Sequence, residues 1–131
     1  MGSFSDYWEN EVLDHLFGKG VYTPPTVYVA LSSADPGDDG AGLGEPSGNG
    51  YARVPTAAGD WNAAVAGLID NASIITFDAA TGDWGTLTHF ALFDAAASGN
   101  MLAHGALTQA KTIGSGDTAR IPAGDLHVTL D

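Results

Sequence analysis

Two of the four histidines, His89 and His104, fall within "DWGTLTHFALFDAAASGNMLAHGAL", residues 83–107, together with Asp83 and Asp94. Imidazoles and carboxylates are the raw material of metal centres and acid–base catalysis. On extended chain, side chains alternate, so Leu87, His89, Ala91 and Phe93 share one face. On the next run Leu102, His104 and Ala106 do the same. An even register across the turn brings both histidines to one face, within diagonal reach. A metal centre needs a third and usually a fourth ligand. His127 or Asp94 supplies one only if the tertiary fold brings it near, and no H-x-H or H-E-x-x-H spacing is present. The stretch is therefore read as a β-hairpin whose histidines hydrogen-bond within or beside a sheet.

Other polar constellations read the same way. Ser98 lies in a glycine-flanked turn, but "AASGN" is not G-x-S-x-G, and no strand-to-helix elbow follows it. "GSGDT", residues 114–118, lacks the elbow too. "DPGDDG", residues 35–40, clusters carboxylates ahead of a glycine. An EF-hand loop would need an oxygen ligand where Gly37 stands and a glutamate where Pro46 stands. A looser calcium site, a partner contact and a solvated acidic loop all remain open for this segment. The glycines between 40 and 50 have no G-x-x-x-x-G-K and no lysine, so they make no phosphate cradle. Tyr7, Trp8, Trp61 and Trp84 would stack on sugar rings if exposed together, or serve as core and interface if not. No catalytic, cofactor-binding or metal-binding residue is assigned, and no cofactor is expected.

Composition narrows the classes further. The 131 residues carry sixteen acidic side chains against four basic ones, Lys19, Arg53, Lys111 and Arg120, for a formal net charge of -12. Nucleic-acid binding works through cations that displace phosphate counterions, so neither nucleic acid nor an anionic membrane is an expected partner. There is no cysteine, which removes disulfides, thiolate catalysis and cysteine-based zinc sites. No apolar run approaches the ~18 residues of a membrane span. The first residues, "MGSFSDYWENEV", match neither a signal peptide nor a myristoylation site.

The elements that would position these groups are mostly strands. Residues 3–18 read as an amphipathic helix. Ser3 and Asp6 fit a capping box, and Asp6, Glu9 and Glu11 load the positive end of the helix dipole. Phe4, Trp8, Val12 and Leu16 recur every four residues, widened by Tyr7, Leu13 and Phe17, and Gly18 suits the stop. Phe4, Tyr7, Trp8 and Val12 are the candidate interface residues: this stripe either docks on a neighbour or covers the chain's own sheet. "TVYVALS" alternates as a strand, and a Gly/Asp-rich loop spans 35–50, mobile by its glycine content. "GYARVPT" is a short strand, while "AAGDWNAAVAGLIDNA" fits neither helix nor strand cleanly. "SIITF", "TLTHFALFD", "NMLAHGALT", "KTIGSGDTARI" and "GDLHVTLD" are extended runs between turns. The expectation is a single domain, 1–131. It is mainly β, an antiparallel β-sandwich (jelly-roll-like) over 26–131 with one N-terminal amphipathic α-helix.

"SDYWENEVLDHLFGKGVYTPPTVYVALSSADP", "GNGYARV", "ITFDAATGDWGTLTHFALFDAAASGNMLAHGAL" and "KTIGSGDTARIPAGDLHVTLD" together resemble a family of small tailed-bacteriophage virion proteins commonly labelled phage tail fibre protein. The resemblance covers nearly the whole chain and departs mainly between Pro55 and Asn71. Its motifs are motifs of fold and carry over no catalytic residue. It implies a non-enzymatic structural component of the virion, tail- or fibre-associated, assembled in the host bacterial cytoplasm. Its partners would be other phage virion proteins and further copies of itself in a symmetric homo-oligomer. Two alternatives stand beside it: a capsid decoration (cement) protein, and a glycan-binding module that needs Trp61 and Trp84 exposed on a rigid face. A metal-dependent enzyme is the reading least supported by the residues.

Overall fold

The computed structural model describes residues 2–130. In order these form β1 (Gly2–Phe4), α1 (Asp6–Leu16), β2 (Tyr28–Ser32), β3 (Val54–Pro55), β4 (Leu68–Asp70), β5 (Ile75–Thr76), β6 (Gly85–Phe93), β7 (Met101–Ile113), β8 (Arg120–Ile121) and β9 (His127–Thr129). The fold is mainly β with one N-terminal helix. Its layers are unequal. One seven-stranded sheet, ordered β3-β2-β6-β7-β1-β9-β4, curls into a half-barrel, and a separate two-stranded sheet pairs β5 with β8. Every neighbouring pair is antiparallel except β1 and β9, which run parallel.

Alternation along the central strands explains burial on both faces. Val29 and Leu31 of β2, Phe90 and Leu92 of β6, and Leu102 of β7 join the main core with Ile75, Phe77, Trp84, Leu87, Ile121, Leu126 and Val128. The residues between them, Ala30, Ala91 and Phe93, form a second cluster with Met101, against which Tyr28 and Leu43 pack. The stretch 83–107 is the hairpin that sequence reasoning expects. Asp94 caps its turn by accepting from Asn100 N, at 2.8 Å, and Asn100 Nδ2, at 3.0 Å. Ser98 and Gly99 supply the left-handed backbone there, at φ 55° and 77°.

The chain's start differs from the capping-box expectation. Residues 2–4 are not helical: they form a strand wedged between β7 and β9, with Ser3 opposite His104 on one side and Thr129 on the other. Two ladders of backbone hydrogen bonds outcompete one helical turn. The cap is Ser5, whose Oγ accepts from Trp8 N at 3.3 Å and donates to Met101 O at 2.5 Å. The wedge is tight. A Cβ on Gly2 would lie 2.2 Å from the carbonyl oxygen of His104, so no larger residue fits. The helix ends at Leu16 rather than residue 18, with Gly18 at φ 73°.

The ambiguous 57–71 segment is a turn followed by a hairpin. Trp61 bridges Asn71, and Val65 bridges Leu68. Its alanines suggest helix, but Ala66 and Gly67, at φ 54° and 77°, take the two left-handed positions of a tight hairpin turn. The hairpin is moored by Asn71, which is fully buried. Its Nδ2 donates to Ser73 O and Pro122 O, both at 2.9 Å, and its Oδ1 accepts from Leu126 N at 2.9 Å. Asn71→Ala would leave these buried backbone groups without partners. The expected loss is about 3 kcal/mol, read as a lower denaturant midpoint at unchanged slope.

Candidate functional site

The two histidines do share a face, as their spacing predicts. His89 pairs with Ala106 and His104 with Ala91, so they sit diagonally across the hairpin. What they meet there is the acidic loop folded across the sheet. His104 Nε2 lies 2.7 Å from Asp38 Oδ1, and His104 Nδ1 lies 3.6 Å from Asp35 Oδ1. His89 Nδ1 is 2.8 Å from its neighbour's hydroxyl, Thr88 Oγ1. Asp35 also accepts from Gly37 N and Asp39 from Ala41 N, so both close turns of their own loop. The carbonyl of Asp38 takes the first helical N–H, that of Asp6, at 3.1 Å. The Asp35 and Asp38 carboxylates clamp the loop to the sheet, and the Asp38 carbonyl ties it to the start of α1. Among the described residues no three histidines, cysteines, aspartates or glutamates gather as a metal group.

A second polar centre was not legible in the sequence. The Arg53 side chain is 5 % exposed. Its Nε and Nη2 form a fork on Glu45 at 2.8 and 2.9 Å, and its Nη1 donates to Ala95 O and Ser98 O at 2.9 and 2.8 Å. The guanidinium carbon stands 3.7 Å from the centre of the Phe93 ring. Tyr51 Oη donates to Glu45 Oε2 at 2.5 Å and accepts from Leu31 N at 3.1 Å. Burial first, and then the hydrogen bond to Glu45, pushes the Tyr51 phenol well above its ordinary 10.0. Six hydrogen bonds are thus made within one cluster. Ser98, the nucleophile candidate by residue type, contributes only its carbonyl.

One of the concavities is apolar. A groove of about 350 Å³ opens between α1 and the 61–69 hairpin, lined by Phe4, Trp8, Val27, Trp61, Leu68 and Ile69, with Ala64, Leu92, Val128 and Leu130 completing it. It falls at the lower end of the ~300–1,000 Å³ of ligand sites but lacks the polar groups that fix a small molecule. Of the candidate interface residues, Phe4 and Trp8 line it, their ring centres 4.6 Å apart. Tyr7 is half-buried against the core, and Val12 is partly covered on the helix. Leu13, Leu16 and Phe17 further along, and Val21 beyond, are 53, 70, 76 and 86 % exposed. The lining from 61–69 had one sequence signal, an isolated Trp61 in a segment without periodicity.

The tryptophan platform for glycans is not there. Trp84 is buried, donates its indole N–H to Asn49 O at 2.9 Å, and packs edge-on against Tyr51 and Phe77. Trp61 is half-exposed, with its indole N–H held by Thr56 Oγ1 at 3.0 Å. Trp61 and Trp84 therefore do not share an exposed face; the rings beside Trp61 at the groove are those of Phe4 and Trp8.

Two outcomes test the Arg53 cluster. Arg53→Lys keeps the charge but loses the fork and the flat ring contact, and is expected to cost about 3 kcal/mol in chemical denaturation. Tyr51, with its raised pKa, stabilises the fold fully below pH 10.0, and the contribution falls as pH rises above that value. In Tyr51→Phe the loss of stability with rising pH should be shallower than in the parent, measured by denaturant melts from neutral pH upward.

A family model described as the Podophage GP4 fiber I protein gp80 matches residues 3–129. No curated protein matches the chain. Among the described residues no helix is long and apolar enough to cross a membrane. With the match running from β1 to β9, the chain belongs to the family of the podophage GP4 fiber I protein gp80, a phage tail fibre protein family.

Proposed function

We propose that this fibre-family protein is a non-enzymatic building block of a tailed-phage virion. It works by holding neighbours, as a symmetric oligomer bound to other virion proteins at the tail or its fibres. The observation that carries this reading is the bare apolar end of α1. Leu13, Leu16 and Phe17 are largely exposed in a helix with no fully buried residue. Exposed apolar surface costs roughly 25 cal/mol per Å², which a partner would recover. The polar groups that chemistry would use are meanwhile committed: His104 to Asp38, Arg53 to Glu45, Asp94 to its turn. A folded scaffold with one sticky helix end suits a part of a larger assembly.

Electron cryo-microscopy of intact particles tests the reading. Density for this subunit in a tail fibre or its attachment is the expected result. Density on the capsid lattice would instead make it a decoration protein, and absence from the particle would overturn the virion role.

A further inference from the structure

The strand β1 stands inside the seven-stranded sheet, between β7 and β9, although it belongs to the first residues of the chain. Without it the sheet parts into β3-β2-β6-β7 and β9-β4, each with an open edge. The slot is cut for this strand. It admits only a glycine against the carbonyl of His104, and Thr129 Oγ1 donates to Gly2 O at 3.0 Å from the other side. The occupant is thus seen in place. Every copy of the chain carries the same strand, so the slot fits the β1 of a second copy equally well.

The strand travels with α1 and with the chain that returns along it. Lys19 N and Gly20 N donate to Asp14 O at 2.8 and 3.2 Å. Tyr22 N donates to His15 Nδ1 at 3.3 Å, and Trp8 Nε1 donates to Tyr22 Oη at 3.0 Å. Residues 6–22 therefore hold together without help from the rest of the molecule, and with β1 they form one arm. The next four residues, Thr23, Pro24, Pro25 and Thr26, make no hydrogen bond among the described residues. At Val27 the chain joins the body, where its carbonyl accepts from Thr56 N at 2.9 Å and Thr56 Oγ1 at 2.8 Å.

The arm also sits loosely. No residue of α1 is buried. The apolar groove of about 350 Å³ is the unfilled gap between Phe4 and Trp8 of the arm and Val27, Trp61, Leu68 and Ile69 of the body. Side chains facing such a gap lose contacts on one side, which lowers the cost of lifting the arm away.

We propose that two copies of this chain exchange arms about the hinge 23–26, each filling the slot of the other. The inference rests on the reading of the chain as a building block, and names the contact that joins copies. Exchange keeps every contact between arm and body, and the hinge has no hydrogen bond to lose. What opposes it is the entropy of association and the repulsion of two chains of charge -12. What favours it is the hinge: consecutive prolines hold it extended over about 12 Å, and a short stiff connector resists turning back on its own body. Val21, two residues ahead of the hinge, is 86 % exposed, and two hinges running past each other would cover it.

A disulfide across the slot tests this, because the chain has no cysteine of its own. Ser3→Cys with Thr129→Cys places one thiol on β1 and its partner opposite on β9. The full chain is refolded at about 1 mM, oxidised and separated by size, and the assembled fraction is run on a denaturing gel without reductant. The expected result is mainly pairs of chains joined covalently. Single chains in that fraction, showing each arm in its own body, would overturn the proposal, as would a parent that stays monomeric at this concentration. Ser3→Cys with His104→Cys repeats the test on the β7 side of the strand, should the first pair fail to fold or oxidise. Inserting Gly-Ser-Gly-Ser between Thr23 and Pro24 lets each arm turn home and should weaken assembly at least tenfold; undiminished assembly would count equally against exchange. Circular dichroism checks that the variants fold. A protein that assembles with its arms at home, or a monomer found on the particle, would sink the exchange and leave the building-block reading standing.

Discussion

The guanidinium of Arg53 is nearly out of water in a chain that has four basic side chains and sixteen acidic ones. A buried cation is tolerated only where every donor is met. Here the partners come from three separate stretches. Glu45 lies in the acidic loop, Ala95 and Ser98 in the β6–β7 turn, and Phe93 at the end of β6. The single charge fixes where the loop crosses the sheet and how the hairpin tip bends over it. Tyr51 then extends the same cluster to the backbone of β2 through Leu31 N. The loop so positioned brings Asp38 to His104 and its carbonyl to the first N–H of α1. The placing of the helix, and with it the groove beneath Trp8, follows from where that loop lies.

Several acidic side chains hold the irregular parts of the chain in shape. Its carboxylates are used locally, closing turns at Asp35, Asp39, Asp60 and Asp94. Short side-chain-to-backbone bonds of this kind stand in for secondary structure where glycine-rich chain has none. The apolar residues are less evenly disposed. The sheet takes its share on both faces, while the far end of α1 and the tip of the 61–71 hairpin leave large side chains in water.

The parts of the fold legible in the sequence were those with a local period. The 83–107 hairpin, the shared face of His89 and His104, the terminal strand 127–129 and the amphipathic helix all follow from alternation or a four-residue repeat. What failed was decided at long range. Ser3 has the chemistry of a cap, yet it is claimed by strands more than a hundred residues away, and Ser5 caps instead. The 57–71 segment reads as ambiguous because two left-handed residues and one buried asparagine, not a hydrophobic pattern, hold it. Arg53 and Glu45 are eight residues apart with nothing between them to announce a fork. Of the stripe Phe4, Trp8, Val12, Leu16, Phe4 belongs to β1 and only the other three lie on the helix, where Trp8 packs and Leu16 is bare, and no periodicity marks the division.

The parallel pairing of β1 with β9 has a mechanical side. Gly2 stands opposite Val128 and Ser3 opposite Thr129, and Thr129 Oγ1 donates to Gly2 O at 3.0 Å. Tension that enters ahead of Gly2 and leaves beyond Thr129 pulls these two strands in opposite directions along their own axes. Their hydrogen bonds are then strained side by side and must yield together, as in shear, instead of opening in turn like a zip. A subunit loaded in this way would resist along this seam, and the glycine at position 2 lets the strands close.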